Sequence, residues 1–400
     1  MKRFFQRRRR AHPQEDAPLN EYYEKVSEGF GLAQVVLYSL LFCFVVLSFF
    51  RNTHLITYRN FYNFFKDLNA ATGSFLEESV DSVTYPTDTE QSFAVYRKGL
   101  AVAGNNSVTV FTAAGRQTVS QSLSYRNPVA VGSGKYLLVY ERGGTHYSLY
   151  NSYAQIFTGT TEYPINDAAV SDCGMYALVT ASAEYNSVVS LYNERFALIN
   201  RYNKIGYVMD VSIEEKGSLI TILTLNTEKG IAQTELMICE PGKAEAKATA
   251  TLDGTVGWSC FASSNRVTVL HESGVVCYSA NGSVVNETDF FGASVAYALL
   301  DKDGATVCLN DPANSLHYRL LVLDKNGKAR YDEVLSYKPG GLARSGDSVF
   351  WTTDAGVCRL DLNRKEIKSI SCDTSKRVLL AIGEDEILLC SPQKGEYFIF

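Results

Sequence analysis

The sequence predicts an all-β fold, a β-propeller of eight blades (with seven as the alternative), preceded by one transmembrane helix near the N terminus. Three observations carry this expectation. Short β runs recur at a period near 40 from about residue 82 to residue 400. Gly, Asn and Asp turns break them at regular places, and one apolar run of about 20 residues stands alone before them.

The clearest repeat unit is 165–206. It opens with Asp167-Ala-Ala-Val-Ser, turns at Asp172-Cys-Gly, continues as Met175-Tyr-Ala-Leu-Val-Thr, and adds strands at Ser187-Val-Val-Ser-Leu-Tyr and Phe196-Ala-Leu-Ile-Asn. The same order recurs from Pro128, from Val208 and from Val295, with shorter copies at 256–293 and 340–376. Four strands per unit at this period is the mark of a propeller: one four-stranded sheet cannot cover both its faces, so copies pack radially, each against the next. Asp303-Gly and Asn326-Gly suit tight hairpins that need positive φ. Seven units counted from Ser92 leave a remainder, 377–400, with only three strands. Residues 82–87 are expected to supply the fourth as its outer strand, which closes the ring and removes an exposed sheet edge. An open two-sheet sandwich would also give short strands at regular spacing.

Residues 31–50 read GLAQVVLYSLLFCFVVLSFF, long enough as a helix to cross a bilayer. Lys2, Arg3 and Arg7–Arg10 precede this span, so the N terminus is expected in the cytoplasm and residues after 50 outside it. Bulky Phe49 and Phe50 stand where a signal-peptide cut would need small residues, which points to an uncleaved anchor. Tyr58, Phe61, Tyr62, Phe65 and Leu68 recur at helical spacing in a connector placed at 51–81, either at the membrane interface or docked as a stalk. The expected organisation is a basic tail (1–30), a membrane helix (31–50), the connector and a propeller (82–400).

The run Ala168-Ala-Val-Ser-Asp-Cys-Gly-Met-Tyr-Ala-Leu-Val, followed by Val188-Val-Ser-Leu-Tyr-Asn, resembles the serine–acidic–x–glycine turn of many bacterial propeller repeats. Together with the uncleaved anchor, nearly the whole chain resembles a domain-of-unknown-function family of single-pass, membrane-anchored propellers in Gram-positive bacteria. That resemblance implies a topology and no catalytic residues.

Net charge is −5; the first 50 residues hold 7 Lys/Arg and 5 Asp/Glu, leaving 31 and 38 for the rest, so no basic face remains for nucleic acid. The sequence offers no catalytic, cofactor-binding or metal-binding residues as candidates. The five histidines (His12, His54, His146, His271, His317) lack a second ligand at zinc spacing. Asp301-Lys-Asp-Gly and Asp324-Lys-Asn-Gly hold fragments of a calcium loop without its closing Glu and read as hairpin turns. Asn105, Asn281 and Asn286 begin N-x-Ser/Thr triplets. Eight cysteines fall in the propeller (Cys173, Cys239, Cys260, Cys277, Cys308, Cys358, Cys372, Cys390), mostly beside apolar strand residues, and are expected as buried thiols. The expected function is a binding or scaffolding module in the cell membrane, with the membrane and a protein or cell-envelope polymer as partners. A hydrolase or lyase acting on envelope carbohydrate or peptide, marked by carboxylates converging on the channel mouth, and a transmembrane sensor stand as alternatives.

Overall fold

The structure, a computed structural model, describes residues 30, 34–43 and 80–400, apart from 153, 244, 313, 315, 316 and 376. The chain divides into two units, 1–66 and 67–400. In the first, residues 34–43 are helical and exposed. The rest of the predicted span and the connector helix lie outside the described residues. Among the described residues no helix is long and apolar enough to cross a membrane.

The second unit is an eight-bladed propeller. Blade 8 is completed by β1 (Ser82–Thr84). Blade 1 holds β2 (Gln91–Tyr96), β3 (Gly99–Gly104), β4 (Ser107–Phe111) and β5 (Gln117–Ser122); blade 2 holds β6 (Pro128–Gly132), β7 (Leu137–Glu141), β8 (His146–Tyr150) and β9 (Gln155–Thr160). Blade 3 is β10 (Ile165–Val170), β11 (Tyr176–Thr180), β12 (Ser187–Tyr192) and β13 (Leu198–Lys204). Blade 4 is β14 (Tyr207–Ile213), β15 (Ile220–Glu228), β16 (Ile231–Cys239) and β17 (Ala246–Asp253). Blade 5 is β18 (Gly257–Ser263), β19 (Arg266–His271), β20 (Gly274–Ser279) and β21 (Val284–Asp289). Blade 6 is β22 (Val295–Asp301), β23 (Gly304–Asn310), β24 (Tyr318–Asp324) and β25 (Ala329–Leu335). Blade 7 is β26 (Leu342–Ser345), β27 (Ser348–Thr353), β28 (Gly356–Asp361) and β29 (Glu366–Ser371), and blade 8 opens with β30 (Val378–Ala381), β31 (Glu386–Cys390) and β32 (Lys394–Ile399). Each blade is an antiparallel meander of four strands; in blades 1 to 7 the innermost comes first in the chain, and in blade 8 the outermost, β1, does.

Residue patterns follow from position in the ring. Second strands are covered on both faces by neighbouring blades, so β11 is buried at every residue and reads as a continuous apolar run. The outer strand β17 instead alternates half-buried with exposed along its length. Eight apolar clusters form the core, one at each blade–blade interface. One joins blade 8 to blade 1 through Val83, Leu388 and Cys390 against Leu100, Val102 and Phe111. The ring is therefore closed by the same contacts that build it.

Closure places β1 where the sequence expects it. Val83 pairs with Gly395 and Thr84 with Lys394 on β32. Tyr85 follows, donating its hydroxyl to the Ser391 carbonyl at 2.7 Å and setting its ring against Phe93 and Phe111 of blade 1. The expected strand of 82–87 is shorter than forecast because the chain turns toward blade 1 at this point.

In such a meander, the start of the first strand, the hairpin between the second and third, and the end of the fourth share one end. The link to the next blade leaves from that end too. We call it the crossover face. Residue 80 joins the propeller at the other end, beside the close of β32, where the Tyr397 amide donates to the Asp81 carbonyl at 3.0 Å.

Candidate functional site

The innermost strands line the central axis, and four of them share an irregularity. Register shifts interrupt β10 between Ile165 and Asp167, β14 between Val208 and Asp210, β18 between Gly257 and Ser259, and β22 between Val295 and Tyr297. Each is a bulge at the crossover end of the strand. The first strands of blades 1, 2, 7 and 8 pair without a shift. An extra residue in one strand bends it and re-aims the side chains on either side. Here Asn166, Met209 and Trp258 are left exposed at the rim, with Met209 at 37% and Trp258 at 39%.

Immediately after the bulges, Asp167, Asp210 and Ser259 form a polar chain across three blades. Asp210 Oδ2 accepts from the Ser259 hydroxyl at 2.6 Å and from the Cys260 amide at 2.7 Å, while its Oδ1 accepts from the Val211 amide at 2.9 Å. Asp167 stands within hydrogen-bonding reach of Asp210. On the far side of Asp167 lie Tyr140 and Arg142, whose guanidinium donates to the Tyr140 hydroxyl at 3.2 Å. Burial, and then the neighbouring Asp210 carboxylate, push the Asp167 carboxyl up to about 7. Burial also raises Asp210, against the donors that favour its charged form. Three donors favour the charged form of Asp210, and the Ala168 and Val211 amides work in the same direction on Asp167 without offsetting its burial.

Part of this chain is structural. First strands at the axis present amides to the neighbouring blade, and buried amides need acceptors. The Ser92 hydroxyl accepts from the Ala130 amide at 3.0 Å, and Ser212 accepts from Ala262 at 3.1 Å. Asp210 with Cys260 repeats this device using a carboxylate, which a serine would serve as well. The carboxylate pair is thus a departure from the pattern of the other interfaces.

Around the pair the crossover face carries exposed apolar side chains. Ile205 is 81% exposed and Phe291 80%, both on links between blades, and Tyr207 and Ile231 stand out at the tips of β14 and of the β15–β16 hairpin. Exposed apolar side chains scattered singly are ordinary; here, with Met209 and Trp258, six of them share one face.

The remaining residues weighed in the sequence take structural places. His271 is buried, its Nδ1 near the hydroxyls of Thr255 at 3.2 Å and Ser273 at 3.0 Å, and burial lowers its pKa. His146 lies 3.3 Å from Glu141, and His317 contacts Asn314; His12 and His54 lie outside the described residues. Asp301 and Asp324 cap hairpins, accepting from the amides of Asp303 at 2.7 Å and Asn326 at 2.8 Å. Among the described residues no three of His, Cys, Asp and Glu are arranged to hold a metal ion. Asn105 is engaged at both amide atoms, with Thr89, Glu90, Tyr125 and Arg126, and Asn286 donates to the Gly327 carbonyl. All eight propeller cysteines are free thiols; Cys173 and Cys372 are half-buried and the other six buried. Two surface clefts are open and charged. One of about 480 Å³ holds Asn105, Tyr125, Glu141 and His146; the other, about 280 Å³, is lined by Arg359, Asp361, Lys368 and Asp385.

Residues 75–396 match a family of unknown function (DUF5711), and the chain belongs to it. No curated protein matches it. Among solved structures it is similar to Sqt1 of Chaetomium thermophilum bound to the N-terminus of the ribosomal protein L10, with a TM-score of 0.54 and 10% identity over 80% of this chain and 100% of that one. It is similar to BamB from Moraxella catarrhalis at a TM-score of 0.51 and 11% identity, over 80% and 99% of the two chains. Apo AztD from Citrobacter koseri gives 0.51 and 9%, over 72% and 86%. At such identities the likeness is one of fold alone.

Proposed function

We propose that the chain is a binding or scaffolding module that takes a protein partner on its crossover face. Residues 31–50 hold it in the cell membrane, with residues 1–30 in the cytoplasm and the propeller outside. The observation that carries this reading is the row of bulges on β10, β14, β18 and β22, with exposed Met209 and Trp258 on the rim they create. Residue 80 enters the propeller at the end opposite this face, beside the close of β32. Sugar rings can stack on Trp258 and Tyr207. The aliphatic side chains of Ile205, Met209 and Ile231 on the same face are better covered by apolar protein side chains, which favours a protein over a cell-envelope polymer. A protein of similar fold, Sqt1, is bound to the N-terminal segment of another protein.

The test is crosslinking of the full-length chain in its own membrane, wild type against Trp258→Ala and Met209→Asp. A protein recovered with wild type and lost with either variant supports the reading; equal recovery from all three sinks it. For the topology, protease added to intact cells should cleave the propeller and spare an epitope placed in residues 1–30.

A second reading has one observation in its favour: carboxylates do converge on the axis, and Asp167 holds a proton near neutrality, as a general acid would. Against it, both oxygens of Asp210 are already taken by protein donors. Separated carboxyls of the glycosidase kind need about 5 Å or more between them, which a hydrogen-bonded pair does not give. Turnover of envelope glycan or peptide by wild type, abolished in Asp167→Asn, would establish this reading instead.

A further inference from the structure

The two faces of blades 3 to 5 differ in charge as well as in polarity. On the crossover face the links, hairpins and strand ends expose Glu162, Glu184, Asp253, Glu272 and Asp289. Their cations are Lys229 and Lys204, and Lys204 is tied to Glu235 at 3.2 Å. None of those five carboxylates takes part in an ion pair among the described residues. On the opposite face of the same blades, Glu194 lies 3.7 Å from Arg195, and Glu240 binds both Lys243 and Lys247. The opposite face also exposes Glu215 and Glu245, but it sets Arg195, Lys216, Lys243 and Lys247 among its acids, whereas the crossover face sets two lysines among its own. There Asp253 accepts from the Gln233 side chain at 2.8 Å and Asp289 from the Phe291 amide, and neither bond brings a positive charge.

The exposed apolar side chains share the crossover face of these blades with the acids. Tyr207 and Met209 begin β14, Trp258 begins β18, and Ile205 and Phe291 project from the links at 81% and 80% exposure. Protein-binding patches combine apolar area with polar and charged groups, and both are present on this face. Unpaired negative charge on it selects its partner by sign and repels anionic headgroups and phosphate backbones.

We infer that the crossover face of blades 3 to 5 docks a protein segment of interleaved apolar and basic residues, its apolar side chains covering Tyr207, Met209 and Trp258 and its lysines or arginines meeting the carboxylates of the same face. This rests on the binding reading above and adds the chemistry of the partner.

The molecule reports on this site directly. Of its two tryptophans, Trp351 is fully buried and Trp258 is 39% exposed, so a ligand on the rim changes the emission of Trp258. The experiment titrates the purified full-length chain with a synthetic peptide alternating leucine and lysine, beside its leucine–glutamate counterpart and vesicles of anionic phospholipid. The lysine peptide is expected to change the emission and to bind at least tenfold more tightly than the glutamate peptide. The double variant Glu272→Lys with Asp289→Lys should weaken it by a further factor of about ten, roughly 1.4 kcal/mol. A circular-dichroism melt checks that this variant folds. Equal binding of the two peptides, preference for the glutamate peptide or the vesicles, or a lysine peptide indifferent to the double variant would overturn the inference. If the crosslinked partner still depends on Trp258 in any of those cases, the rim remains a binding site and only its charge preference is wrong. If neither peptide nor partner depends on Trp258, both readings fall.

Discussion

The ring has two halves built from the same repeat. In blades 7, 8, 1 and 2 the first strands pair without interruption. In blades 3 to 6 every first strand is bulged at the crossover end. The regular half carries the closure, where Val83 and Tyr85 lock the first strand of the chain to the last. The bulged half carries the carboxylate pair and the apolar rim. Shifts between third and fourth strands occur in both halves, but only blades 3 to 6 bulge the innermost strand, which bends it and re-aims its side chains and so singles out this end of the ring for testing.

The widest gap between the halves should show in the two tryptophans. Trp351, in blade 7, is fully buried and its indole N–H donates to the Tyr337 hydroxyl at 3.3 Å. Trp351→Ala is expected to cost about 3–5 kcal/mol of unfolding free energy, read by denaturant melt. A loss below about 1 kcal/mol would mean that the regular half is not the anchor of the fold.

The second prediction asks how far the bulged half departs. Gly217, in the turn between β14 and β15 on the opposite face, sits at φ +72°, and an added Cβ would come within 2.5 Å of Cys173 Sγ and 2.6 Å of Met175 Sδ in blade 3. Gly217→Ala should cost about 1–3 kcal/mol through backbone strain and that contact. A neutral result would show loose packing through the whole half, not only at its crossover end.

Much of this plan was legible in the sequence and some was not. Units starting at Ile165, Pro128 and Val295 stood out because Gly and Asp turns fix where strands stop. The closing strand followed from a remainder one strand short. The outer strand β17 was not legible: AKATATLD has little apolar bulk, because only Ala246, Ala248, Ala250 and Leu252 face the core. The bulges could not be read at all, since register depends on a partner strand outside the segment. The pair left one faint trace, an Asp two or three residues into the first strand of two consecutive units, at Asp167 and Asp210. Whether two such residues meet is decided by the twist between blades, which periodicity does not carry.

The carboxylate pair gives a prediction with a definite sign. The Asp167 carboxyl is raised to about 7 from an ordinary 3.8, so folding favours its protonated form. The stability this brings is complete below about pH 4 and is lost as pH rises through about 7. Asp167→Asn removes the titration while leaving an amide donor beside Asp210. Melting temperatures compared across this window should converge at acid pH, with the variant gaining by a few degrees as pH approaches 8. Equal slopes for both proteins would mean that the pair is not held as described.

The smallest expected effect on stability is also the sharpest test of the division. Trp258 is partly exposed on a bulge, and apart from its chain neighbours the polar chain runs through Ser259 and Asp210 without it. Trp258→Ala should therefore change unfolding free energy by no more than about 0.5 kcal/mol, as surface substitutions usually do. It should nonetheless abolish capture of the partner, because a large aromatic ring at the centre of an interface contributes more than its neighbours. Stability and binding would then part at one residue type in two places: Trp351 holds the ring together and Trp258 meets what binds it. A Trp258→Ala chain that melts several degrees lower and binds normally would reverse that assignment and return the bulged rim to the core.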